Sequence, residues 1–250
     1  MVGRSFHCGR GKLKTSRYRS YVMELVRTAG ATQNETTLGS VKMKTTGELV
    51  PVTQVELAPQ DSIFFEHHIL LWKDPSVTIT AKVMQGLGKR MLAGLPVFVT
   101  EAHGPGRIAF SRDAPGQIIF LEVRPGAMLH VREHQFLFAT SSVKYSYFRM
   151  KGISNLLYGG TGFFIDTFEG TGIVALHGYG NVFEHTLSPG ESIDVEPGAF
   201  LYKDASVQLE TVSLGLKTGL FGGSTFRLNR FTGPGRLGLQ SMSFHLQTGE

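Results

Sequence analysis

Short apolar runs alternate along this chain with turns marked by glycine and proline, and the alternation recurs three times. Ser192-Ile193-Asp194-Val195-Glu196 switches between polar and apolar at every residue, the period of a half-buried strand. Val77-Thr78-Ile79-Thr80 is β-branched throughout, as strands prefer. Glycine or proline interrupts nearly every window in which a helix would form, and no helical apolar stripe persists past about two turns. The pattern predicts an all-β chain of short strands, with room for a helical turn inside each of three glycine-bounded loops.

The recurrence holds residue by residue. Leu57-Ala58-Pro59-Gln60-Asp61, Val123-Arg124-Pro125-Gly126-Ala127 and Leu187-Ser188-Pro189-Gly190-Glu191 open comparable stretches, their prolines 66 and 64 residues apart. The twelfth residue after each proline is Leu71, Leu137 or Leu201, and the next is aromatic: Trp72, Phe138 or Tyr202. Val77, Val143 and Val207 follow five residues later. Nine-residue segments bounded by glycine come next: Gly86 to Gly94, Gly152 to Gly160 and Gly215 to Gly223. Each leads through a short run to a tight turn (Gly104-Pro105-Gly106, Gly170-Thr171-Gly172, Gly233-Pro234-Gly235) and a further run, the signature of a hairpin. A period of about 65 residues therefore divides residues 41–250 into three tandem β units, approximately 48–113, 114–180 and 181–245. No Pro/Ser-rich linker separates them, so closure around a pseudo-threefold axis, with each unit's sheet edges pairing to the next, is the expected arrangement.

Composition adjusts this picture at the N-terminus. The net charge is +5, but residues 1–30 hold seven basic side chains against one acid, leaving 18 basic and 19 acidic in the rest. The expected folded body is neutral, which counts against a surface that steers onto phosphate. Residues 1–40 read as a basic flexible extension: either a mitochondrial targeting peptide, being Arg-rich with Ser5, Ser16 and Ser20, or a disordered tail or misassigned start. Cys8 is the sole cysteine, so no disulfide forms within the chain. No apolar run reaches the length of about 18 residues that a membrane-spanning helix needs.

The Pro-Gly-Glu turn, the segment Val195-Glu196-Pro197-Gly198-Ala199-Phe200-Leu201-Tyr202, the Gly215–Gly223 loop and Phe231-Thr232-Gly233-Pro234-Gly235-Arg236 resemble one family. It is the bacterial and mitochondrial family named for altered inheritance of mitochondria, twenty-fourth in that series. The resemblance covers roughly residues 48–245 and is clearest in the third unit. It implies three similar β units with pseudo-threefold symmetry, akin to the tryptophan RNA-binding attenuation protein. It also implies a cytoplasmic protein if bacterial, or one associated with the mitochondrial inner membrane and the organisation of cristae. The first unit departs from the pattern, with Phe65-Glu66-His67-His68-Ile69 where the third has Val195-Glu196-Pro197-Gly198-Ala199. A fold shared with an RNA-binding protein carries no RNA binding with it.

Little in the chain reads as catalytic. His130-Val131-Arg132-Glu133-His134 spells H-x-x-E-H, but zinc chemistry needs that spacing on a helix. Here the expectation is a strand, where His130 and His134 share a face and Glu133 points away. The nine histidines do not recur across the units as a barrel metal site would require. No phosphate loop and no nucleophile elbow is present, and Cys8 has no placed partner. The expectation is a non-enzyme without a cofactor or metal.

The glycine-bounded loops carry the candidate binding residues. Leu87, Met91 and Leu92 align with Ile153, Leu157 and Tyr158, and with Leu216, Leu220 and Phe221. Clustered on one face, such side chains mark a contact surface; tucked inward, they seal the end of each unit's core. Lys89, Arg90 and Lys217 flank two loops in a manner suited to an anionic lipid surface. Two functions follow as expectations. One is a scaffold or assembly protein contacting a protein or membrane surface, with homo-oligomerisation in reach; the other is a small-ligand or nucleic-acid module using grooves between units.

Overall fold

A computed structural model of the chain describes residues 24–25, 34–38, 40–83, 98–149, 164–215 and 225–243. They form strands β1 (Glu24–Leu25), β2 (Asn34–Leu38) and β3 (Val41–Thr46), then three sets of six. The first set is β4 (Val52–Leu57), β5 (Ser62–Phe65), β6 (Leu70–Lys73), β7 (Thr78–Val83), β8 (Phe98–His103) and β9 (Gly106–Ser111). The second is β10 (Gly116–Val123), β11 (Met128–Arg132), β12 (Phe136–Thr140), β13 (Val143–Arg149), β14 (Phe164–Gly170) and β15 (Gly172–Tyr179). The third is β16 (Val182–Leu187), β17 (Ser192–Val195), β18 (Phe200–Asp204), β19 (Gln208–Gly215), β20 (Thr225–Thr232) and β21 (Gly235–Gln240). Two single 3-10 turns, His67–Ile69 and Pro197–Ala199, interrupt them, and no α-helix occurs among the described residues. None of those residues forms a helix long and apolar enough to cross a membrane.

Alternation sets the faces. In β3, Val41, Met43 and Thr45 are buried while Lys42 and Thr46 face water. The turns are locally determined too. Asp61, Ala127 and Glu191 each donate a backbone N–H to the carbonyl three residues back, at Ala58, Arg124 and Ser188. Gly126 (φ 79°) and Gly190 (φ 76°) follow proline at the left-handed position of a type II turn, which a side chain would strain. Gly106 and Gly235 lack room for a side chain: a Cβ there would lie 2.9 Å from Val77 and Val207 respectively.

Every ladder is antiparallel. Within the first set β4 pairs β9, β5 pairs β8, β6 pairs β9 and β7 pairs β8. The second set repeats that order with β10·β15, β11·β14, β12·β15 and β13·β14. The third does so with β16·β21, β17·β20, β18·β21 and β19·β20. Two further ladders join the sets: β12 pairs β5, and β18 pairs β11. The first makes the six-stranded sheet β10-β15-β12-β5-β8-β7. The second makes the seven-stranded sheet β1-β16-β21-β18-β11-β14-β13.

Closure around a threefold axis would require a third ladder, between β6 and β17. The described residues do not contain it. Instead β6 ends the five-stranded sheet β2-β3-β4-β9-β6, and β17 ends the three-stranded sheet β17-β20-β19. The expected ring of paired edges is thus met at two joints and not at the third. Three buried clusters lie along this series of sheets. One centres on Phe65, Phe110 and Phe138, the next on Phe136, Phe168 and Tyr202, and the last on Phe200, Phe231 and Leu237.

Candidate functional site

All nine loop residues named from the sequence (Leu87, Met91, Leu92, Ile153, Leu157, Tyr158, Leu216, Leu220, Phe221) lie outside the described residues. The site that the described residues do show is the unpaired joint. At the first closed joint Phe138 stands opposite Phe65, Ala139 opposite Phe64 and Thr140 opposite Ile63. At the second, Tyr202 stands opposite Val131, Lys203 opposite His130 and Asp204 opposite Leu129. The Leu-aromatic pairs on these strands, Leu137-Phe138 and Leu201-Tyr202, are all 0% exposed. The matching pair on β6 is not: Leu71 is 55% exposed and Trp72 38%. Arg107 lies over the Trp72 ring, 5.9 Å from its centroid, close enough for a cation–π contact. Among the described residues no strand pairs the outer edge of β6 or of β17, and such edges are what other strands add to.

The strand ends beside the joints differ as well. Asp74 accepts hydrogen bonds from the Arg107 backbone N–H at 3.0 Å and from its Nε at 3.0 Å, and this pairing holds the carboxyl below its usual range. Asp204 accepts from Arg236 in the same way, at 2.8 and 3.2 Å. The middle set has no such ion pair, because Thr140 and Ile173 occupy these positions; Thr140 Oγ1 accepts the Ile173 N–H at 3.1 Å and shares a hydrogen bond with Ser142 Oγ at 3.4 Å. There a cleft of about 480 Å³ opens at the first closed joint, lined by Asp61, Ser62, Glu122, Thr140, Ser141, Ser142 and neighbours. Ser62 donates to Ser141 at 2.7 Å, and Ser141 to Glu101 at 2.9 Å.

A buried polar group sits near both closed joints. Arg132 is wholly buried and donates to the Pro197 carbonyl at 2.7 Å. Arg112 donates to the Phe136 carbonyl at 3.0 Å and lies 3.4 Å from Glu66. Burial, helped by the Arg112 charge, lowers His177 to about 4. Burial, helped by Lys203, lowers His130 to about 4. Burial raises Glu133 to about 7 against the pull of Arg132.

The H-x-x-E-H stretch does not continue as a strand. β11 ends at Arg132, and Glu133-His134 form a turn in which His134 takes φ 65°. His130 and His134 therefore do not sit on one strand face. Among the described residues no group of three or more His, Cys, Asp or Glu side chains is placed to hold a metal ion.

Sequence reasoning missed the open joint, although a signal was present. Five residues after the opening proline come Phe64, His130 and Asp194, a series running from apolar to charged. Phe64 is buried, His130 half-buried and Asp194 exposed.

Comparison with known proteins agrees with this architecture. An uncharacterised protein of Streptococcus pyogenes serotype M6 is 24% identical over 212 residues, 77% of this chain and 82% of that protein. A crystal structure of a Streptococcus pyogenes protein shares the fold with a TM-score of 0.61 at 22% identity, covering 85% of this chain and 94% of that one. The family described as mitochondrial biogenesis AIM24 matches residues 43–242. The chain belongs to the mitochondrial biogenesis AIM24 family.

Proposed function

We propose that this chain is a non-enzymatic assembly protein whose docking surface is the unpaired joint formed by the edges of β6 and β17. One observation carries the reading: the Leu-aromatic pair that is sealed at both closed joints is open to water at Leu71-Trp72. Burying two such side chains in a contact is worth about 1.5–3 kcal/mol each. The apolar loop residues around Leu92 and Phe221 extend the same reading to a further protein or membrane contact. The bacterial relatives favour a cytoplasmic setting, and the basic N-terminal stretch a mitochondrial one.

The test is Leu71→Ser with Trp72→Ser, compared with Leu137→Ser and Phe138→Ser. A docking surface leaves the melting temperature of the first variant within a few degrees of the parent, while the second variant fails to fold. A comparable loss in both would make Leu71 and Trp72 core residues and end the reading.

A second reading, a small-ligand module using a groove between units, has the cleft at Ser62, Thr140 and Ser141 in its favour. Its hydroxyls and carboxylates suit a ligand rich in hydrogen-bond donors.

A further inference from the structure

We infer that the occupant of the open joint is a second copy of this chain, its β17 laid antiparallel along β6. The inference rests on the docking reading above and names its partner. The two closed joints share one register. The residue thirteen after its opening proline (Phe138, Tyr202) faces the residue six after the preceding one (Phe65, Val131). Carried to the free edges, that register sets Trp72 against Val195, Lys73 against Asp194 and Asp74 against Ile193 of the second copy.

Each pair is of a favourable kind. Trp72 against Val195 is an aromatic–β-branched pair, as Tyr202 against Val131 already is. Lys73 against Asp194 is a pair of opposite charges, which stabilises neighbouring strands where like charges would repel. Lys73 has room for this role without giving up its present bonds. Its Nζ donates to the Val77 carbonyl at 2.9 Å, and Lys203 makes the same bond, to the Val207 carbonyl at 2.6 Å, inside a closed joint. Asp194 is already ionised, since Arg230 donates to both its oxygens at 2.7 Å. The partner strand thus meets a carboxylate held in place by Arg230, which Lys73 joins as a second cation. The contact is head to tail, so each copy offers one β6 edge and one β17 edge, and the array closes as a ring or continues.

The experiment mixes two single-cysteine chains, Lys73→Cys and Asp194→Cys, both in a Cys8→Ser background, under mild oxidation. Directly opposed strand residues lie within disulfide reach. The expected product is a disulfide-linked heterodimer several-fold more abundant than either homodimer. Equal yields of all species, or none, would overturn the register and the second copy. So would a chain bearing both substitutions that forms its disulfide internally and stays monomeric, because its own strands would then close the joint. Should either single variant fail to fold, Asp74→Cys with Ile193→Cys tests the same register. If Leu71→Ser with Trp72→Ser leaves stability intact while these bonds fail, only the identity of the partner falls. If that variant unfolds, the docking surface itself falls.

Discussion

The first closed joint and the open one are built from corresponding strands and differ in a few side chains. At the first, Phe64 and Phe65 meet Ala139 and Phe138, and a shared apolar surface fills the gap between strands. At the open one, Asp194 and Lys73 hold the places of Phe64 and Ala139, and the apolar pair beside them is left in water. Strand pairing within a set recurs in all three sets, mostly between strands that are not consecutive in the chain. Pairing between sets goes with burial across the joint: the second closed joint buries Lys203 opposite His130, whereas the apolar pair beside Lys73 stays exposed.

The largest expected effect falls on the closed joints. Phe138→Ala should cost about 3–5 kcal/mol in chemical denaturation, as for other large buried aromatics. Trp72→Ala should change the stability of the dilute monomer by no more than about 0.5 kcal/mol. Equal losses would erase the distinction between the joints.

Next comes pH. His130 and His177 titrate near 4 in the fold against about 6.5 in the unfolded chain, so the stability they add is full above 6.5 and is lost as pH falls toward 4. Glu133, raised to about 7, works in the opposite sense: its contribution is full below about 4.5 and is lost as pH rises through 7. Within the range from pH 4.5 to 6.5 the histidines take up protons on unfolding while Glu133 releases one, so Glu133→Gln should increase the net uptake by about one proton and raise the melting temperature at pH 8. Thermal melts across that range check both. A melting temperature independent of pH, or unmoved by the substitution, would contradict the burial of these groups. The carboxyl at the open joint, Asp194, is held low by Arg230 and should take no part in this range.

Much of the fold was legible in the chain. The Pro59, Pro125 and Pro189 turns and the buried valines at 77, 143 and 207 stand where the pattern put them. Those features are local, set by φ and by alternation over a few residues. Gly104-Pro105-Gly106, Gly170-Thr171-Gly172 and Gly233-Pro234-Gly235, by contrast, carry the chain from one sheet to another instead of closing the expected hairpins. The open joint was not legible from Leu71-Trp72, which reads like its two counterparts; its exposure depends on a strand more than a hundred residues away in the chain. The turn at Glu133-His134 escaped for a different reason. Alternation continues through it, and only the left-handed backbone at His134 ends the strand. The cleft beside Thr140 lies where the other sets carry an Asp–Arg pair, a difference visible in the repeat but silent until Asp74 and Arg107 are seen to bond.

Trp72 is the chain's sole tryptophan, so its fluorescence reports on the open joint without labelling. Iodide quenching of that emission, followed from dilute to concentrated protein, tests the open joint most directly. An open edge that recruits a second copy gives strong quenching in dilute solution that fades as concentration rises. Emission shielded from iodide at every concentration would mean that the joint is already sealed within one chain.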